Sequence, residues 1–275
     1  MKASVTLGAV FALLAAGAVS AGPQEDLQAF RDYYAKRFPN TPFDDFNNGV
    51  YSIDKASREQ WEAIEEFPPY ELNIDNGEKL FNTPFANGKT YASCFKNGGQ
   101  GVRQDYPYFD KTSGQVVTLE LAINKCREAN GETALPWKKG DIADLSAYMA
   151  YTSRGNKFNI KVDDPAAVKA YEDGKRSFYM KRGQLNMSCA DCHQWNAGNR
   201  IRADILSPAI GHPTHFPTYR SKWGELGTLH RRYGGCNEQV RAKAYPAQSP
   251  EYRDLEYFET FMSNGLAVNG PGARK

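Results

Sequence analysis

The sequence predicts a mainly α-helical protein in which one domain occurs twice in tandem, behind an N-terminal extension. Three observations carry that reading. Long alternating strand patterns are nearly absent from the 275 residues. Residues 106–155 laid on 216–265 match without a gap, with about a dozen identities over about fifty positions. Each copy then closes on an amphipathic segment, Leu145, Tyr148, Met149 and Tyr151 in one and Leu255, Phe258, Phe261 and Met262 in the other, recurring near helical spacing.

Taken in order, the chain opens with Lys2, an apolar run from Val5 to Val19, and Val-Ser-Ala at 19–21 before Gly22 and Pro23. That is the pattern of a secretory signal peptide, 1–21. The run is shorter than the roughly 20 apolar residues a membrane anchor needs, and no later stretch could span a bilayer, so an exported chain with no membrane span is expected. Formal charge is +2, with 41% hydrophobic and 13% aromatic residues, which excludes a disordered chain or a polybasic tail. The pairs Lys138-Lys139 and Arg231-Arg232 are too short to imply nucleic acid.

Residues 22–70 are expected to form the extension, 71–156 the first copy and 157–275 the second. In the first copy a helix is expected over 78–81, after Asn76-Gly77; in the second, over 166–180, opened by Asp163-Asp164-Pro165 as cap and first turn. The repeat places Pro107 on Pro217, Gly114 on Gly224, Thr118-Leu119 on Thr228-Leu229, Cys126 on Cys236, and Asp144-Leu145 on Asp254-Leu255. Gly155 and Gly265 fall where helix C-caps belong.

Chemistry enters at Cys189-Ala190-Asp191-Cys192-His193. Two cysteines spaced C-x-x-C and followed by histidine attach haem c through two thioethers and offer an axial imidazole. Helix, haem-binding loop and packed C-terminal helix make up the cytochrome c plan. The first copy has Ser93-Cys94-Phe95-Lys96-Asn97-Gly98 at the matching place, and all four histidines lie in the second copy. One haem, held by the C-terminal copy through Cys189, Cys192 and His193, is expected. Such thioethers form outside the cytoplasm in bacteria, which agrees with the signal peptide and a periplasmic location.

Three of the five cysteines remain. Cys94 and Cys126, facing the pocket of a haemless copy, are expected to pair as a disulfide contributing roughly 3 kcal/mol; two separate buried thiols are the alternative. Cys236 is then unpaired, either an intermolecular partner or a reactive thiol. It is one candidate for the sixth haem ligand, opposite His193, beside Met180, Met187, Met262, His212, His215 and His230. Over 219–243, Arg220, Lys222, Arg231, Arg232, Arg241 and Lys243 outweigh Glu225 and Glu238, whereas the matching stretch 109–133 has a slight acidic excess. A cationic neighbourhood favours a thiolate and draws anions. Arg232, four residues before Cys236, is placed to bind an anion through its planar fork; a solvated basic loop is the other reading. His212-Pro213-Thr214-His215 reads as a loop rather than a metal pair. Trp195 and Trp223 are open between packing on the porphyrin and packing in the core.

The segments SCADCHQW and HRRYGGCNEQVRAKAY, with FANGKTYASCFKNGGQGVRQDYP in the first copy, resemble the SoxA family, the larger subunits of the SoxAX cytochromes of bacterial sulfur oxidation. The likeness covers most of the mature chain, and the missing first motif is similar to the single-haem members. It implies axial ligation by His193 and by Cys236 carrying an extra sulfur as a persulfide, with Arg232 as the substrate-anion contact. It also implies an L-cysteine S-thiosulfotransferase reaction, in which thiosulfate is joined oxidatively to a cysteine of the SoxYZ carrier with cytochrome c as electron acceptor, and a heterodimer with the small cytochrome SoxX. The competing expectation is a plain electron-transfer cytochrome with a methionine or histidine sixth ligand. A haem-based sensor is disfavoured because no signalling domain is attached.

Overall fold

A computed structural model describes residues 22–274. The expected signal peptide, 1–21, lies outside the described residues. Helix α1, Pro23–Arg37, has proline at its start, Glu25 and Asp26 in its first turn, and Lys36 and Arg37 in its last, a charge order that complements the helix dipole. It buries Leu27, Phe30 and Tyr34, and the Phe30 ring meets Phe178 and Phe258 edge-on at 6.2 and 6.4 Å. The extension is therefore part of the second half's core rather than a leader to the first. A 3₁₀ stretch, Phe43–Ser52, leads to α2, Lys55–Glu65, which Asp54 caps by accepting a hydrogen bond from the Ser57 amide at 2.8 Å.

The first half consists of α3 (Glu71–Asn82), the hairpin β1 (Tyr108–Asp110) and β2 (Gln115–Val117), α4 (Leu119–Ala129) and α5 (Asp141–Tyr151). The second repeats that order: α6 (Pro165–Tyr179), the short pair β3 (Arg200–Ile201) and β4 (Asp204–Ile205), the hairpin β5 (Thr218–Arg220) and β6 (Glu225–Gly227), α7 (Leu229–Gln239) and α8 (Pro250–Met262). A last strand, β7 (Gly272–Arg274), joins β5 in parallel and completes a three-stranded sheet. Among the described residues, no helix is long and apolar enough to cross a membrane.

Two sequence expectations shift. Helix α3 starts at Glu71, seven residues before the expected 78, and runs straight through Asn76-Gly77. The glycine is not a break but a crossing point: a Cβ on Gly77 would lie 2.1 Å from the Asp144 carbonyl oxygen of α5. Gly174 of α6 does the same against Asp254 of α8, at 2.0 Å. The helix pair of each half thus packs backbone to backbone, closer than any side chain allows. Gly155 and Gly265 do adopt a left-handed φ of +86°, yet the helices cap earlier, at Thr152 and Ser263. Their amides instead cross-bond Val268 and Phe158 carbonyls at 2.9 and 2.8 Å.

Contacts between the halves are reciprocal. The Thr118 hydroxyl donates to Gln248 Oε1 at 2.9 Å, and the Thr228 amide donates to the Lys138 carbonyl at 3.1 Å; Thr118 matches Thr228 and Lys138 matches Gln248 at the repeat offset. Likewise α8 packs on β2 and α5 on β6. Between them lies a buried charge cluster. Arg103 donates to the Pro213 carbonyl at 3.4 Å, stands 3.9 Å from Glu256 and sits over the Phe158 ring at 5.3 Å. Glu120, hydrogen-bonded by Ser146 at 2.8 Å, has its pKa raised by burial and by nearby Glu256. Removing one partner from such a cluster would leave a buried charge uncompensated.

Candidate functional site

The haem-attachment motif sits where α1, the loop before α7 and the C-terminal helix converge. Ser188 and Asp191 start it: the Ser188 amide and hydroxyl donate to Asp191 Oδ2 at 2.7 and 2.8 Å, and the Asp191 amide donates back to Ser188 Oγ at 3.0 Å. Burial opposes the Asp191 carboxylate, but these bonds and Lys181 hold its pKa below the ordinary value. The chain then makes a π turn over Asp191–Trp195, a rare form. Helix α1 hydrogen-bonds carbonyls of this turn and of Ala197 just beyond it. Tyr34 donates to the His193 carbonyl at 2.7 Å, Tyr33 to the Gln194 carbonyl at 2.8 Å, and Arg37 to the Ala197 carbonyl through two nitrogens at 3.0 and 2.7 Å.

His193 Nδ1 lies 2.9 Å from the Ser207 carbonyl. Because a carbonyl only accepts, Nδ1 carries the proton and Nε2 keeps its lone pair, the tautomer a metal ligand requires. Burial depresses the His193 pKa, with Arg232 adding to the effect, so the ring is neutral. Ser207 is held in turn: its hydroxyl is 3.1 Å from His212 Nε2, His212 Nδ1 is 3.1 Å from Glu259 Oε1, and Tyr233 donates to Glu259 Oε2. The His212 pKa is lowered by burial and by His193, whose ring it meets edge-on at 4.4 Å.

These residues wall a cavity of about 350 Å³, lined among others by Cys189, Cys192, His193, Arg232 and Cys236. Cys236 and Arg232 both lie on α7, four residues apart and so on one face. Cys189, Cys192 and Cys236 form no disulfide. Burial raises the Cys189 and Cys192 pKa values, and each of the two feels Cys236 electrostatically. An apolar lining from Leu206, Phe216, Leu229 and Leu255 completes the wall. The donor set fits haem c: two thiols for thioethers, an imidazole with a free Nε2, apolar walls for the macrocycle, and a sulfur on a separate helix of the same cavity.

Of the other sixth-ligand candidates, Met180, Met187, His212 and His215 reach the cavity wall. Two fall elsewhere. Met262 is 1% exposed in the α8 core. His230 lies in the interface of the halves, its Nδ1 accepting from the Gln248 amide at 2.9 Å and its Nε2 3.2 Å from Glu256. Neither tryptophan faces the porphyrin site: Trp195 is 46% exposed, and Trp223 lies under Arg231, at 4.3 Å, and Arg220. The structure joins Cys94 to Cys126, Cα atoms 5.8 Å apart. The expected pocket is not where they meet; Cys94 is exposed at the edge of a core packed by Phe81, Phe85, Tyr91 and Phe95.

Sequence reasoning missed Tyr33, Tyr34, Arg37, Ser207, Glu259 and Arg274 at this site. Glu259 alone left a trace, an acid at a core position of an apolar helix. The others come from segments whose distance in sequence hides their convergence.

Comparisons with known proteins agree. A family profile described as SoxA/TsdA, cytochrome c domain, matches residues 76–158. The chain is 57% identical over 273 residues to the L-cysteine S-thiosulfotransferase subunit SoxA of Allochromatium vinosum, covering 98% of this chain and 97% of that one. It is 60% identical over 250 residues to the protein of the same name from Chlorobaculum thiosulfatiphilum, covering 91% and 87%. The crystal structure of SoxXA from P. pantotrophus superposes with a TM-score of 0.72 at 34% identity, over 81% of this chain and 84% of that chain.

Proposed function

The chain belongs to the SoxA family, and from that membership we propose that Cys236, Arg232 and His193 form the single site at which thiosulfate is joined to a cysteine of the SoxYZ carrier. The protein is an L-cysteine S-thiosulfotransferase subunit and carries covalently bound haem c. The observation that supports the site assignment is the placement of Arg232 and Cys236 one turn apart on α7, in the wall of the cavity that also receives Cys189, Cys192 and His193.

Cys189 and Cys192 would hold the haem by thioethers, and His193 Nε2 and the sulfur at Cys236, which the resemblance gives an extra sulfur atom, would be the donors to its iron. When bound, the haem supplies a one-electron redox centre, which a thiolate ligand sets at low potential. The rest is done by the chain's own groups. Arg232 binds the thiosulfate dianion through its fork and turns the outer sulfur toward Cys236. A sulfur–sulfur bond forms between the sulfur at Cys236 and that outer sulfur as two electrons leave for the cytochrome c acceptor. The carrier's cysteine thiolate then attacks the outer sulfur, the Cys236 sulfur departs as its anion, and the carrier leaves as a cysteine S-thiosulfonate. Atoms and charge balance, and Cys236 is regenerated.

The same reading includes a heterodimer with SoxX, the periplasm as location, and a signal peptide at 1–21. It also includes a tandem duplication, 71–156 and 157–275 behind the extension 22–70, with only the second copy carrying haem. The reciprocal Thr118–Gln248 and Thr228–Lys138 contacts support the duplication.

Cys236→Ala tests the site. Haem should stay covalently attached, as read by mass, while thiosulfate conjugation to the carrier falls below detection. Turnover within a few-fold of the parent would remove the assignment.

A further inference from the structure

The basic character of the cavity does not end with Arg232. Strands β5 and β7 run parallel with Arg220 opposite Arg274 in register, and registered side chains emerge on the same face of a sheet. Both arginines line the cavity. Like charges directly opposite one another destabilise a sheet pair, and burial makes this pair costlier: it lowers the Arg274 pKa and takes that of Arg220 down to about 10, with Arg232 adding to the latter.

Arg274 is held firmly in this position. It lies over the Tyr51 ring at 4.6 Å and donates to the Ala273 carbonyl at 2.9 Å and the Asn48 carbonyl at 3.4 Å. The nearest acid acting on it, Glu65, already accepts from Trp61, Tyr70 and the Ala273 amide. His215, 7% exposed and also on the cavity wall, adds a ring whose Nδ1 has no hydrogen-bond partner. Two guanidiniums and a buried ring nitrogen thus border one part of a cavity whose other residues supply thioethers, an imidazole and a thiol.

We infer that Arg220 and Arg274 bind the two propionate carboxylates of the haem, leaving Arg232 alone for the substrate anion. Haem bears its thioether carbons on two adjacent pyrroles and its propionates on the other two, so anchoring at Cys189 and Cys192 sends both carboxylates to the opposite edge. Two carboxylates meet two planar forks, a geometry guanidinium matches bidentately. Arg232 is different in kind: it rides on α7 one turn from the reactive sulfur, whereas Arg220 and Arg274 rise from the sheet.

The inference rests on haem attachment at Cys189 and Cys192. Intact mass of the parent protein checks that separately, since absence of the haem mass would defeat attachment itself. The experiment takes Arg220→Gln and Arg274→Gln in the haem-loaded heterodimer and reads three quantities: the propionate-bending band in resonance Raman spectra, the reduction potential, and KM for thiosulfate. The band should move in each variant and the potential fall, because an unpaired carboxylate favours ferric iron, while KM should rise less than it does in Arg232→Gln measured alongside. A KM raised ten-fold or more with an unmoved band would make the pair a substrate site and overturn the inference. An unmoved band with unchanged KM overturns it too. Should the glutamine variants fail to fold, Arg220→Lys and Arg274→Lys keep the charge and lose the fork, and the band should still move.

Discussion

Tyr34→Phe isolates what the N-terminal helix does for the haem-binding loop. Tyr34 is fully buried; its hydroxyl donates to the His193 carbonyl at 2.7 Å and accepts from the Ala209 amide at 3.1 Å. Phenylalanine keeps the ring and its packing against Phe30 and Phe46, so no cavity opens and only the two bonds are lost. A buried donor or acceptor left unsatisfied costs about 1–3 kcal/mol. Here the two stranded groups still have each other, since the Ala209 amide also donates to the His193 carbonyl at 3.0 Å. The cost therefore sits at the low end, about 1–2 kcal/mol in all, or a fall in Tm of roughly 2–8 °C for a chain of this size. Urea denaturation of the haem-loaded protein, followed by far-UV circular dichroism, should show a lower midpoint with unchanged slope. An unfolding free energy within about 0.3 kcal/mol of the parent would refute the idea that α1 bears on the loop. Tyr34→Ala, which also opens a core cavity, should cost about 3–5 kcal/mol.

Removing the disulfide by Cys94→Ala with Cys126→Ala should cost about 3–4 kcal/mol, from the 32-residue separation, and leave turnover alone because the bond lies in the first half; calorimetry beside a turnover assay checks both. Gly174→Ala puts a methyl 2.0 Å from the Asp254 carbonyl oxygen, so α6 and α8 must separate; we expect more than about 3 kcal/mol lost, and a near-neutral result would mean the crossing yields easily. Asp254 is raised to about 7 by burial and by Asp173. The folded protein then holds that proton more tightly than the unfolded chain, so its contribution is full at low pH and is lost as pH rises from about 4 through about 7. Asp254→Asn should remove that part of the slope, about 2 kcal/mol after discounting for solvent contact, and a parallel pair of stability-against-pH curves would contradict it.

Much of this protein was legible without coordinates, and the reason is locality. The haem motif Cys189 to His193 is five consecutive residues, and covalent chemistry demands that spacing whatever surrounds it. Helix periodicity and the match of 106–155 to 216–265 likewise depend on neighbours along the chain, so the mainly helical make-up and the pairing of Cys94 with Cys126 could be read in advance, whereas the two short hairpins were not. Errors came where a local sign had a distant cause. Gly77 looked like a helix break because glycine is costly in a helix; it is there because α5, more than sixty residues away, crosses too closely for a Cβ.

Arg232 and Cys236 lie between these cases. Their four-residue spacing and the basic excess around them were visible, but not that α7 would face His193's cavity while His230 of the same helix turned away to Gln248 and Glu256. The sequence by itself singled out the groups able to bond to haem, because Cys189, Cys192 and His193 stand together as one motif. Only the tertiary structure decided which tautomer His193 keeps, which of seven possible sixth ligands reach the cavity, and that Tyr34, Glu259 and Arg274 belong to the same site. Bond-forming residues are specified by their own chemistry, whereas the groups that orient and desolvate them are specified by packing, which brings together segments that carry no sign of one another.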